Sequence, residues 1–219
     1  MQTLKTSKAR ENILGKIRKA LSSEPVPMPF PEADKDNTTP LFADSGHSPE
    51  ETFAEAFIKL GGKFVFCDNE QQVLEQIADL HDSRGWAQLY CAEPRLMQLF
   101  QNNKITTVQP VDIQNEKADA CITGCEYLVA RTGSVVLSSM QHMGRTASVF
   151  YPVHIIVAYA SQVVPDIQDG LQMITKKYGA NLPSMINLNT GPSRTADIEK
   201  TLVVGVHGPG EVFCFLVNA

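Results

Sequence analysis

The chain has few of the features that would assign it directly to a well-known class of enzyme or metalloprotein. Its 219 residues include five cysteines but no Cys-x-x-Cys pair, and Cys121 and Cys125 have no neighbouring His or Cys cluster. This spacing argues against a zinc or iron–sulfur site in this chain and favours reduced cysteines that serve in packing. The sequence also contains no nucleophile elbow, no Walker loop and no Ser–His–Asp order.

Long basic and long apolar stretches are missing as well. The net charge is −5 and no basic, aromatic-rich run occurs, so the chain does not supply the positive footprint of a nucleic-acid binder. No apolar run reaches membrane-spanning length, and the polar start Met1–Arg10 is not followed by the apolar segment of a signal peptide. We therefore expect a cytoplasmic protein that binds no nucleic acid and does not insert into membranes.

The sequence predicts three regions: an N-terminal helix within residues 1–21, a Pro-rich linker at 22–49 and an α/β domain at 50–219. Residues Ala9–Leu21 place apolar side chains at helical spacing among Arg and Lys. Six prolines in the following region exclude a helix and favour an extended tether. The apolar stripe of the helix must cover the domain itself, a second copy in a homodimer, or a partner protein.

Beyond residue 49, helical and strand patterns alternate. Helices are expected at Glu50–Leu60, with Ser48 as N-cap and Pro49 at the first position, and at Gln71–His81, Arg95–Gln101 and Ile167–Tyr178. Strands are expected at Lys63–Cys67, Ala87–Cys91, Ile105–Val108, Ala118–Ile122, Tyr127–Ser138, His154–Ala160, Met185–Leu188, Leu202–Val206 and Val212–Val217. This alternation predicts an α/β fold with a mainly parallel, doubly wound sheet.

The first candidate for a functional site is the segment Arg131–Ser134. Between Tyr127 and Pro165 the only formally charged residues are Arg131 and Arg145, which favours an anion pocket because Arg matches carboxylate or phosphate. Alternatively, both arginines pair with acids from elsewhere. Within the segment, Thr132, Gly133 and Ser134 would let backbone and hydroxyl groups approach a ligand, or would form only a bend in a strand.

The second candidate is the segment Gly191–Asp197. The pattern predicts a strand, a Gly-Pro turn and then a helix that Ser193 or Thr195 caps. Such a helix start is a natural anion site that Arg194 would strengthen, although simple capping would explain the other residues.

The third candidate is the segment His207–Gly210. Turn chemistry alone explains its glycines and proline, but not His207, which is a candidate proton carrier together with Asp197. A structural or solvated role for His207 is the alternative. Taken together, the three segments and Arg145 predict anion binding by the following residues: Arg131, Thr132, Gly133, Ser134, Arg145, Gly191, Ser193, Arg194, Thr195 and Gly208.

The motifs around these segments resemble the LUD domain family. The similarity lies in three runs: Ile122–Glu126 continuing to Thr132–Ser134, then Gly191–Glu199, then Gly205–Pro209. The resemblance implies a fold similar to that of the superfamily of sugar-phosphate isomerases, glucosamine-phosphate deaminases and CoA transferases. It also implies a subunit of a bacterial L-lactate oxidation system, in which lactate becomes pyruvate and partner subunits carry the iron–sulfur clusters, so that this chain binds no cofactor of its own.

One position departs from the family pattern. An acidic residue often precedes the Thr-Gly pair in the family, whereas this chain has Arg131 there. Because of this change, a covalent mechanism like that of CoA transferases is less readily assigned to this chain. The change favours the interpretation of this segment as an anion pocket. Two alternatives to the lactate subunit stay open: a stand-alone enzyme or binder for a sugar phosphate, nucleotide or CoA ester, and a purely structural assembly protein.

Overall fold

The fold was analysed in a computed structural model, which describes residues 8–22, 46–111, 118–198 and 201–218. The chain divides into two units, residues 1–44 and 45–219. Most of the predicted Pro-rich linker lies outside the described residues.

The described residues form five α-helices and twelve strands. The helices are α1 (Lys8–Leu21), α2 (Pro49–Lys59), α3 (Glu70–Arg84), α4 (Pro94–Asn102) and α5 (Ile167–Tyr178). The strands are β1 (Lys63–Cys67), β2 (Leu89–Cys91), β3 (Val108–Pro110), β4 (Ala120–Thr123), β5 (Tyr127–Val129), β6 (Ser134–Ser138), β7 (Val153–Tyr159), β8 (Val163–Val164), β9 (Ile186–Asn189), β10 (Arg194–Ile198), β11 (Thr201–Val204) and β12 (Glu211–Val217).

The first unit contributes α1, which is amphipathic as expected. Ile13, Ile17 and Leu21 form an apolar stripe whose side chains are exposed. No helix among the described residues has the length and apolar character needed to cross a membrane.

A six-stranded sheet forms the centre of the second unit. Its strand order is β1-β12-β7-β4-β2-β3, and every neighbouring pair is parallel. The strands are short, apolar and largely buried on both faces, which is typical of parallel sheets. The predicted α/β class with a mainly parallel sheet is confirmed.

Different layers cover the two faces of this sheet. One face packs against α3 and α4, whose buried side chains include Leu74, Ile77 and Phe100. The other face packs against α2 and against a second sheet with the order β8-β5-β6-β9. This second sheet is mixed, since β5 and β8 are parallel and its other neighbouring pairs are antiparallel.

The start of α2 follows from its sequence. The Ser48 side chain accepts a hydrogen bond from the Glu51 backbone, and the Glu51 carboxylate accepts one from the Ser48 backbone. This reciprocal pair satisfies two N–H groups that a helix start would otherwise leave unpaired, and Pro49 pre-sets the first helical turn.

Several expected strands have shifted bounds in the structure, and two of them differ most. Residues Tyr127–Ser138 form β5 and β6, which pair antiparallel across a turn at Gly133, rather than one continuous strand. The strand predicted at Ile105–Val108 begins only at Val108. Gly133 has a φ of +60°, which favours glycine, and this conformation reverses the chain.

Candidate functional site

A cavity of about 240 Å³ opens where the segment after β9 meets the segment before β12. Residues Asn189–Ser193 and His207–Pro209 line it together with Ser148 and His154, and we call it the Ser193 cavity. It follows the carboxyl end of β9, where the sequence placed a ligand site. In the central parallel sheet, however, it lies beside the first residues of β7 and β12, the end opposite to the usual ligand crevice of open α/β sheets.

Hydrogen bonds through Ser193 hold the two segments together. The Ser193 backbone N–H donates to the Pro209 carbonyl at 2.9 Å, and its carbonyl accepts from the Gly205 N–H at 3.0 Å. The Ser193 hydroxyl donates to the His207 carbonyl at 3.3 Å. A Cβ on Gly208 would lie 3.1 Å from the Ser193 Cβ, so glycine allows this close approach. Of the predicted site residues, Gly191, Ser193, His207 and Gly208 therefore share one cavity.

The helix predicted at Ser193 is wrong. Residues Arg194–Ile198 form β10, which pairs antiparallel with β11 so that Thr195 lies opposite Val203. Ser and Thr are common before helices, but the β-branched residues of β11 supply a pairing partner that local capping signals do not include. There is consequently no helix dipole at Ser193 for an anion to use.

Hydroxyl groups connect the first candidate segment to the cavity wall. The Thr132 Oγ1 donates to the Ser134 Oγ at 2.8 Å, and the Ser134 Oγ bonds to the Thr190 Oγ1 at 2.8 Å. Thr190 lines the Ser193 cavity, whereas Thr132 and Ser134 do not. Thr132 and Ser134 therefore stabilise the position of Thr190 without lining the cavity themselves.

Arg131 pairs with an acid, as the alternative interpretation expected of both arginines. Its Nε and Nη2 atoms donate to the Asp166 carboxylate at 2.7 and 2.8 Å. The hydrogen bonds from Arg131 hold the pKa of Asp166 below its usual value. Because Asp166 also caps α5, this ion pair fixes the turn after β5 to the start of that helix.

The other two arginines lie at different places. Arg145 donates to the Ser184 hydroxyl at 2.5 Å and lines a separate, mostly apolar cavity of about 370 Å³ with Phe150 and Tyr151. Arg194 donates to the Leu60 carbonyl after α2. The backbone of Asp197 lies in β10, but its side chain is outside the described residues. The predicted cations thus do not line the Ser193 cavity.

His154 is the residue of the cavity that sequence reasoning missed. The sequence counted it only as optional positive charge, yet it lies on β7 and is 1% exposed. Its Nε2 bonds to the Thr123 Oγ1 at 2.7 Å, and its Nδ1 has no hydrogen-bond partner among the described residues. Burial lowers the pKa of His154 from 6.5 to about 4, so the ring is neutral at pH 7. A lone histidine in an otherwise apolar strand was the available signal.

The buried histidine predicts a stability change with pH. The unfolded chain binds a proton at this side chain below pH 6.5 and the folded chain does so only near pH 4, so stability is lost as the pH falls through that window. Between pH 7 and pH 5 this loss is about 2 kcal/mol. Urea unfolding at both pH values should show that loss in the wild type but not in His154→Gln. Equal losses in the two proteins would contradict the buried neutral state.

Glu126 is a second buried ionisable residue, and it lies outside the lining of the Ser193 cavity. Its carboxylate accepts hydrogen bonds from Ser138, Lys177 and Tyr178 at 2.5 to 2.8 Å. The carboxylate is thus fully engaged in joining β6 to the end of α5, which favours a structural role over a catalytic one.

The cysteines have the environment expected of packing residues. All five are unpaired thiols buried in the protein interior. Burial raises the pKa of each thiol, to about 12 for Cys91, so none is a ready thiolate. Within the part of the chain that the structure describes, no three His, Cys, Asp or Glu side chains are grouped to hold a metal ion.

Similar sequences occur in bacterial proteins named lactate utilization protein C. The chain is 39% identical to lactate utilization protein C of Bacillus velezensis over 105 residues, which is 47% of this chain and 44% of that protein. It is 31% identical to lactate utilization protein C of Macrococcus caseolyticus over 175 residues, covering 78% of this chain and 68% of that protein. The chain thus spans less than half the length of the Bacillus relative that it matches.

The fold also has a solved relative. The crystal structure of a DUF162 family protein from Deinococcus radiodurans superposes with a TM-score of 0.57 at 20% identity, covering 78% of this chain and 96% of that chain. The family model described as the LUD domain matches residues 50–217, which is most of the chain. The chain therefore belongs to the LUD domain family.

Proposed function

We propose that this chain acts in bacterial L-lactate utilisation as a subunit that binds a small carboxylic acid in the Ser193 cavity. Membership of the LUD family and the name of the relatives from Bacillus velezensis and Macrococcus caseolyticus, lactate utilization protein C, support the pathway. The cavity supports the ligand class, because hydroxyl-bearing residues and two histidines, His154 and His207, line a space large enough for lactate or pyruvate.

The convergence of Gly191, Ser193, His207 and Gly208 on one cavity is the observation that carries this proposal. These residues come from the two segments that precede β10 and follow β11, and Ser193 joins the segments by three hydrogen bonds. These hydrogen bonds fix the two segments that line the cavity, so binding an acid there costs little ordering of the protein.

The proposal assigns electron transfer to partner subunits that carry iron–sulfur clusters. The cysteines of this chain are all occupied as buried packing residues, which is compatible with such a division of labour. We further propose that the exposed stripe of Ile13, Ile17 and Leu21 on α1 contacts these partners. Co-purification from the cytoplasm with the full chain, but not with an Ile13→Glu, Ile17→Glu chain, would support this contact; equal recovery would contradict it.

Ligand binding is testable by blocking the cavity mouth. Val149 lines the cavity and is 42% exposed, so Val149→Trp should fill the space without disturbing the core. In calorimetric titrations we expect L-lactate to bind the wild-type chain and to bind Val149→Trp at least about tenfold more weakly. Val204 on β11 is similarly exposed but does not line the cavity, so Val204→Trp serves as the matched control.

The same titrations compare the alternative ligand classes. Pyruvate, a sugar phosphate, a nucleotide and a CoA ester are titrated in parallel with L-lactate. Binding of a phosphorylated compound but of neither small acid would contradict the proposal and favour the stand-alone binder. An Arg194→Ala chain should keep its affinity for L-lactate, since Arg194 contacts the Leu60 carbonyl rather than the cavity. Loss of binding in this chain would instead support the anion site at Arg194 that the sequence predicted.

A further inference from the structure

The loop between β6 and β7 lines a second cavity, which the proposed function does not use. This cavity has a volume of about 370 Å³, and we call it the Arg145 cavity after the one charged residue among the described residues that line it. Its apolar walls include Met143, Phe150 and Tyr151. The cavity is larger than the Ser193 cavity of about 240 Å³ and falls within the range of small-molecule sites, roughly 300 to 1,000 Å³.

Packing and close backbone contacts define the walls of the Arg145 cavity. Tyr151 is 6% exposed, and its ring meets the Tyr90 ring edge to face at a centroid distance of 5.7 Å. A Cβ on Gly144 would overlap the Ser138 carbonyl oxygen, so glycine allows the loop to approach the end of β6 this closely. Phe150, by contrast, is 56% exposed, which leaves an apolar ring that a ligand can cover.

Arg145 brings a positive charge to this apolar space without an acidic partner. Its Nη2 donates to the Ser184 hydroxyl at 2.5 Å, and no carboxylate among the described residues lies within ion-pair distance of it. Arg131, the other cation in residues 127–165, is instead paired with Asp166. A guanidinium has five N–H donors, so Arg145 keeps donors that match a carboxylate.

We propose that the Arg145 cavity binds a monocarboxylic acid with an apolar body of about eight carbons, with the carboxylate on Arg145 and the body against Phe150 and Tyr151. The apolar body gains by leaving water for these walls, and the charged head gains a guanidinium that has no acid of its own among the described residues. L-lactate is not expected to bind here, because its single methyl group would leave the cavity largely unfilled.

The ligand class is tested by calorimetric titration of the full chain with octanoate at pH 7. We expect octanoate to bind at one saturable site and 1-octanol, which lacks the charge, to bind at least about tenfold more weakly. An excess of acetate, which has the carboxylate alone, should not displace octanoate. These three measurements use the wild-type chain, so they do not depend on whether any variant folds.

The contribution of the guanidinium is tested by Arg145→Gln. Octanoate binding should weaken about tenfold while binding of 1-octanol stays the same, so that the preference for octanoate disappears. Arg194→Gln is the matched control, because Arg194 is also exposed but does not line the cavity. This control should bind octanoate as the wild type does.

The contribution of the apolar wall is tested by Phe150→Ala. Loss of the ring should weaken binding of both octanoate and 1-octanol about fivefold, because each uses the same wall. Phe66 provides the control, since it is 48% exposed and lies on β1 away from the cavity lining. Phe66→Ala should leave both affinities unchanged.

The outcomes separate this inference from the proposed function, because the two cavities share no lining residue. Equal octanoate affinity in the wild type and Arg145→Gln would overturn the role of the guanidinium. Weakening of octanoate by Val149→Trp but not by Arg145→Gln would place this acid in the Ser193 cavity and overturn the inference. Absence of saturable octanoate binding would also overturn it, while L-lactate binding, and with it the proposed function, would be unaffected.

Discussion

Replacing Gly133 with alanine should lower the free energy of unfolding by about 3 kcal/mol. Gly133 has a φ of +60°, which strains a residue with a Cβ, and that Cβ would lie 2.6 Å from the backbone nitrogen of Phe57. Since Phe57 belongs to α2, backbone would have to move to relieve the contact. Urea unfolding of the wild type and Gly133→Ala measures the loss directly.

Gly85 provides the control for this substitution. It ends α3 with a φ of +62°, but a Cβ there would have no neighbour within 4 Å. Gly85→Ala should therefore cost only the backbone strain, about 1 kcal/mol. Equal losses at the two positions would show that no clash with α2 occurs. A Gly133→Ala chain with normal stability but no ligand binding would instead support the role in ligand approach that the sequence suggested for Gly133.

Replacing Glu126 with glutamine should cost about 3 kcal/mol at neutral pH. The Glu126 side chain is 1% exposed and its carboxylate accepts from Ser138 at 2.5 Å, Tyr178 at 2.7 Å and Lys177 at 2.8 Å. An amide of the same size cannot accept all three hydrogen bonds, because half of it is a donor. Thermal or urea unfolding of the two proteins gives the difference.

The effect of Glu126 should also depend on pH. Burial alone would raise its pKa, but the hydrogen bonds from Lys177, Ser138 and Tyr178 outweigh burial and lower it. The stabilisation is therefore present above the ordinary pKa of Glu and is lost as the pH falls through the lowered value. The wild type and Glu126→Gln should accordingly converge in stability at acidic pH.

Glu211 is the control for Glu126. It also accepts hydrogen bonds from two cations, Lys63 and Arg84, but its side chain is 34% exposed. Solvent screens such a pair, so Glu211→Gln should cost less than about 1 kcal/mol. If Glu211→Gln lowered the free energy of unfolding as much as Glu126→Gln does, burial would not explain the larger stabilisation by the Glu126 hydrogen bonds.

Elements with strong local signals could be predicted from the sequence. Helix α5 and strand β1 have the bounds that the sequence predicted, and α2 begins at the predicted cap Ser48. In each case the signal is local, since a capping residue, a proline or a change in apolar periodicity marks the end of the element. The parallel sheet followed from the alternation of these elements.

The elements that were not predicted depend on contacts far along the chain. Residues Arg194–Ile198 look like a helix start until β11 is available to pair with them. Likewise, the chain reverses at Gly133 between β5 and β6, and the backbone of α2 packs closely against that turn. Local propensity is a weak guide where such pairing decides the conformation.

The candidate site shows the same division. The turn segments around Ser193 and His207 come together because each joins strands of the assembled sheets. Their positions between predicted strands were therefore enough to identify them as candidate site segments. Arginine partners were not predictable, because Asp166, Ser184 and the Leu60 carbonyl become neighbours only in the folded chain. His154 was missed because a single buried histidine gives no periodic pattern.

The central claim is that the Ser193 cavity holds a small carboxylic acid. A crystal structure of the chain grown with L-lactate tests it most directly. We predict lactate in the cavity beside Ser193 and Gly208. Lactate bound instead against Arg131, Arg145 or Arg194, with the cavity occupied by water alone, would contradict the claim.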